Sequence, residues 1–79
     1  MGGKDGRLPQ EQATAHPMRV AILDLLAEHR DAGLSAPVIY HELPDGPSLS
    51  TVTYHLRVLA DAGLVKVDRV EAAPVYARA

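Results

Sequence analysis

Four chain breakers in a row, Pro44-Asp45-Gly46-Pro47, interrupt the middle of this 79-residue sequence and limit how it can be built. No regular element runs through such a turn, so the helical patterns on its two sides belong to separate, short helices. Upstream, Leu34–Leu43 (LSAPVIYHEL) puts Ala36, Ile39, Tyr40 and Leu43 on one face and turns Val38 and His41 away. Ser35 is its candidate N-cap, and Pro37 is tolerated in the first turn. Downstream, Ser48–Ala62 (SLSTVTYHLRVLADA) has Ser48 as N-cap and Gly63 as stop. Its inward stripe is Val52, Leu56, Leu59 and Ala60. Measured from Val52 at about 100° per residue, Thr53, Arg57, Ser50 and Tyr54 fall at about 100°, 140°, 160° and 200°. Those four share the outward face.

A longer helix is predicted over His16–Asp31 (HPMRVAILDLLAEHRD), with Pro17 at the first position and Gly33 just past its end. Met18, Ile22, Leu25, Leu26 and His29 recur on one face of a 3.6-residue period. Val20, Leu23 and Ala27 form a second apolar stripe, either intramolecular core or subunit interface. Pro9–Ala15 is a candidate short helix, and the Gly-rich, polar residues 1–8 read as a flexible tail, leaving residues 9–79 as one domain. Leu64–Val70 (LVKVDRV) alternates and is rich in valine, so it reads as a strand. Glu71-Ala72-Ala73 is the expected connection, and Pro74–Ala79 the second strand of a hairpin, with proline at its tolerated first position.

The expected fold is therefore mainly α with a small β-hairpin, in the order α-α-α-α-β-β. Two short helices joined by a turn, the second with a polar outward face, form a helix-turn-helix, and the hairpin behind it makes the arrangement winged. An α-helix fits the DNA major groove. Small hydroxyls at its front permit close approach, and Arg57 one or two turns later reaches a guanine or a phosphate. Ser48 is a cap that also presents backbone N–H groups to a phosphate.

At these residues the chain resembles the arsenic-repressor-type (ArsR-type) winged helix-turn-helix regulators. His16–Leu26 (HPMRVAILDLL) is similar to their opening helix, and Ser50–Val65 (STVTYHLRVLADAGLV) to their recognition helix and entry to the wing. The resemblance covers about Ala15–Arg78. It implies a cytoplasmic, prokaryotic, nucleoid-associated transcriptional regulator, a repressor, binding double-stranded DNA as a homodimer. It implies that Ser50, Thr51, Thr53, Tyr54 and Arg57 face DNA. Lys66, Arg69 and Arg78 are expected to hold phosphates from the strands, because the wing tip Glu71-Ala72-Ala73 is not basic. Relatives usually build their dimer with a further helix after the wing. This sequence ends at Ala79, so a dimer is expected to use the N-terminal segment and Val20, Leu23 and Ala27.

Composition narrows the remaining classes. There is no Cys, which removes disulfides, thiolate metal sites and cysteine nucleophiles. There is no Phe or Trp, so the core must be aliphatic. An 8.5 kDa chain has no room for a cofactor-binding sheet beside a catalytic domain, and neither enzyme activity nor a cofactor is expected. His16, His29 and His41 lack ligand spacing, so no metal site is expected. His55 lies beside the inward stripe as a packed structural histidine. No signal peptide is legible in residues 1–10, and the apolar run Val20–Ala27, broken by Asp24, is far short of a bilayer span. The net charge is −2, with −3 carried by residues 1–47 and +1 by residues 48–79, so a polyanion would meet the C-terminal half. The acidic balance favours an alternative, a winged-helix protein-interaction module that does not read DNA.

Overall fold

The structure, a computed structural model, describes residues 13–29, 32–43 and 48–79. Among them run three helices, α1 (Pro17–Glu28), α2 (Ala36–Glu42) and α3 (Leu49–Asp61), followed by β1 (Val65–Val70) and β2 (Ala73–Arg78). The tail, the Pro44–Pro47 turn and most of the Pro9–Ala15 segment lie outside the described residues. Ala13, at the end of that segment, is helical and fully buried.

Helix α1 starts as its sequence requires. His16 is the N-cap, Pro17 follows where its missing N–H costs nothing, and His16 Nδ1 accepts from the Met18 N–H at 3.1 Å. The helix ends at Glu28 rather than Asp31, with His29 as its cap. His29 is exposed and does not join the inward face. The second stripe also divides: Leu23 is buried in the chain's own core, while Val20 and Ala27 are exposed. The reason is angular. Leu23 sits about 60° from Leu26 and widens the buried arc, whereas Val20 and Ala27 lie about 140–160° from Ile22.

Leu34 is not helical. It exchanges both backbone hydrogen bonds with Tyr76, each 2.8 Å, and adds a one-residue rung to the sheet. Helix α2 therefore begins only at Ala36. Ser35 has the extended backbone of an N-cap, but its hydroxyl makes no capping bond. Ala36, Ile39 and Leu43 are buried as the pattern predicts; Tyr40, expected on the same face, is 39% exposed. Gly33 does not cap α1. Its φ of +69° serves the bend into the Leu34 rung, and a Cβ there would lie 2.6 Å from Val75 Cγ1. Both facts require glycine.

Helix α3 is capped at both ends. Ser48 Oγ accepts from the Thr51 N–H at 3.2 Å. At the far end Gly63 N–H donates to the Ala60 carbonyl and Leu64 N–H to the Leu59 carbonyl, with Gly63 at φ +79°. That pair of bonds is a Schellman motif. Val52, Leu56 and Leu59 are fully buried, joined by Val58 and His55, while Ala60 is only half-buried.

The hairpin pairs Val65 with Arg78 through to Val70 with Ala73. Its turn is two residues, Glu71 and Ala72, both at positive φ (53° and 70°). Ala73 thus belongs to β2, and Pro74 is the second strand residue, opposite Arg69. The ladder tolerates it there. Tyr76 turns its N–H and C=O outward to Leu34, and Pro74, two residues away, has the same outward orientation. Its missing N–H removes no bond to β1. The core is aliphatic, with Ile22, Leu26, Ile39, Val52, Leu56 and Leu59 as its largest fully buried side chains.

Candidate nucleic-acid interface

The outward face of α3 is an exposed polar surface. Ser50, Thr51, Thr53, Tyr54 and Arg57 are all exposed, and Tyr54 is 58% exposed despite its aromatic ring. The apolar back of the same helix fixes their direction, because Val52, Leu56 and Leu59 have no solvent-facing alternative. The hydroxyls are partly committed to the helix. Ser48 Oγ and Thr51 Oγ1 share a 2.9 Å hydrogen bond, and Thr53 Oγ1 donates to the Leu49 carbonyl at 3.0 Å. Such back-bonding leaves the Thr53 hydroxyl an acceptor for an outside donor.

The basic residues of the wing do not form one surface. Strand side chains alternate between faces. Arg69 and Arg78 therefore share the face of buried Val65 and Tyr76, and Lys66 lies on the other with Asp68. Arg69 Nη1 is tied to the Ala72 carbonyl at 3.2 Å, and Arg78 Nη1 to the Leu64 carbonyl at 3.0 Å. Arg78 is half-buried; Lys66 and Arg69 are exposed. The structure thus gathers the α3 residues and separates the wing cations.

One cluster went unread in the sequence. His55, 5% exposed, is the buried polar residue of the described core. Its Nδ1 accepts from Arg19 Nε at 3.1 Å, and Arg19 Nη1 reaches the Ala13 carbonyl at 3.4 Å. The His16 ring lies 4.5 Å from that of His55, and the Tyr54 ring 5.6 Å. Burial holds His55 below the ordinary histidine value of 6.5, helped by the charges of His16 and Arg19. Positions 16, 19 and 55 share no local pattern, so only the packing of α1 on α3 reveals the group. Among the described residues no set of three His, Cys, Asp or Glu could hold a metal ion, and no helix is long and apolar enough to cross a membrane.

Comparisons with known proteins agree with this geometry. The family model of a helix-turn-helix domain matches residues 14–68. No curated protein matches the sequence. Among solved structures, the crystal structure of a possible transcriptional regulator for arsenical resistance is similar at a TM-score of 0.77 and 28% identity. That likeness covers 91% of this chain and 70% of the other.

Proposed function

The chain belongs to the helix-turn-helix domain family and has the winged fold of arsenic-repressor-type regulators, DNA-binding proteins of transcription, and from that premise we propose that it is a sequence-specific repressor that lays α3 in the major groove. The carrying observation is the exposed set Ser50, Thr53, Tyr54 and Arg57 on a helix whose opposite side is fully buried. Arg57 and Tyr54 read bases or phosphates. Ser50, Thr51 and Thr53 make short contacts, and Ser48 presents the helix N-terminus to a phosphate. Lys66, Arg69 and Arg78 are secondary phosphate contacts, with Lys66 acting from a different face than the two arginines. The protein works in the cytoplasm on the nucleoid. Two copies bind one operator, and exposed Val20 and Ala27 contribute to their contact; Leu23 is committed to the monomer core.

The test is selection from a random-sequence duplex library. A two-fold motif with half-sites about one helical turn apart supports the dimeric repressor. A single enriched half-site supports DNA reading by a monomer. No enrichment, repeated at low salt, overturns the DNA reading.

A second reading has its own observation. Val70 is 57% exposed on the wing, beside the acidic tip residue Glu71. A protein partner fits such a surface better than a phosphate backbone does. Affinity that is insensitive to salt favours this reading, and a steep loss with salt favours DNA.

A further inference from the structure

The hydrogen bonds around His55 dictate its protonation state. A guanidinium N–H can only donate, so the 3.1 Å bond from Arg19 Nε requires a lone pair on His55 Nδ1. The proton of the neutral ring is then on Nε2. His16 is constrained in the same way, since its Nδ1 accepts from the Met18 N–H. The two rings are 4.5 Å apart. Among the described residues, the titratable and charged groups facing His55 are His16 and Arg19 from the α1 side and Tyr54 from its own helix. Neither α1 group offers a negative charge to an imidazolium.

Arg19 is thus a side chain of α1 that reaches across the interhelical contact to a buried atom of α3. It also holds the Ala13 carbonyl, so one guanidinium ties three parts of the chain together. The residues on either side of His55 in sequence, Tyr54 and two positions on Arg57, belong to the outward face.

We propose that Arg19 is a positioning residue for DNA recognition: it seats α3 through the Nδ1 lone pair of His55, and does so only while that imidazole is neutral. The consequence for DNA rests on the reading of α3 as the DNA-contacting helix; the seating itself does not. Protonation places an N–H against the Arg19 N–H, breaks the bond and sets two cations side by side. Acid then loosens α3 from α1.

The test uses the full chain as wild type, Arg19→Gln, Arg19→Lys and His55→Asn. Long-range proton–nitrogen spectra of the imidazoles, with amide spectra of residues 50–57, are followed as the pH is lowered. Duplex affinity is read by fluorescence anisotropy on the enriched pool, or on a mixed-sequence duplex at low salt if no sequence is enriched. We expect wild-type His55 as the Nε2–H tautomer. Arg19→Gln raises its titration midpoint, shifts the amides of residues 50–57 and weakens duplex binding about tenfold, the scale of one charge-assisted hydrogen bond. Arg19→Lys keeps the charge without the planar fork and recovers only part of the loss. Wild-type affinity falls through the His55 midpoint, and His55→Asn, whose amide oxygen accepts but does not titrate, flattens that fall. An Nδ1–H tautomer, a midpoint and amides unmoved by Arg19→Gln, or affinity that rises through the midpoint overturns the proposal. If wild type binds no duplex at all, the DNA reading fails, and the spectra still decide the seating. Should His55→Asn not fold, the Arg19 variants decide.

Discussion

Gly33 and Val75 meet at a distance that admits no side chain on the glycine: a Cβ at position 33 would stand 2.6 Å from Val75 Cγ1. This contact brings the link between α1 and α2 against the wing, one residue before Leu34 pairs with Tyr76. Gly33→Ala adds the clash to the strain of a positive φ. We expect a loss of about 2–4 kcal/mol, read as a large drop in the thermal midpoint with the helical circular dichroism retained at low temperature.

Ser48 supplies the side-chain cap of α3. Ser48→Ala should cost about 1 kcal/mol in chemical denaturation, and Ser48→Gly only a few tenths. No loss of stability in either variant would show that the Thr51 N–H bond contributes nothing.

The wing turn holds two residues with side chains at positive φ, where the favoured sequence is Asn-Gly. Ala72→Gly should therefore stabilise the protein by about 0.5–1 kcal/mol, the strain released less the added chain entropy. A lower denaturation midpoint would contradict the backbone geometry at this turn.

Arg57 and Lys66 should respond differently to truncation. Arg57→Ala is expected to cost about 1–3 kcal/mol of DNA binding and to relax specificity at one base position. Lys66→Ala should weaken all sequences alike and reduce the salt slope by about one. Binding curves for selected and scrambled duplexes at several salt concentrations separate the two. Identical behaviour of both variants and wild type would remove both residues from the interface.

His55 makes stability depend on pH with a definite sign. Its folded value lies below 6.5, so the unfolded chain binds the proton more readily. Stability is then complete above the unfolded value, falls as pH drops below 6.5, and levels off under the folded value. Urea midpoints across that interval check the direction, and His55→Asn should flatten the curve.

The order of elements was legible because α1 and α3 carry local start signals and α3 its own stop. Pro17, Ser48 and Gly63 act through local backbone chemistry, and local chemistry can be read from neighbours. The Leu34 rung has no signature in the sequence: its partner Tyr76 is far along the chain, and a single backbone rung leaves no periodic trace. Tyr40 is more exposed than its place on the wheel implies, and the wheel alone leaves Leu23 open between core and interface, for one reason: a helical wheel gives angles, while the neighbouring elements decide how wide the buried arc is. The outward face of α3 was readable as a helix face. The Arg19–His55 bond was not, since it exists only after α1 and α3 pack.

Pro74 has a consequence for how the wing meets other chains. The outer margin of β2 is paired at Tyr76 by Leu34, and the next outward-facing position offers a proline. A foreign strand approaching that margin beside the tip finds no N–H donor at position 74 to begin a ladder. The tip half of the hairpin can thus project from the body of the protein as a poor template for edge-to-edge pairing along that side.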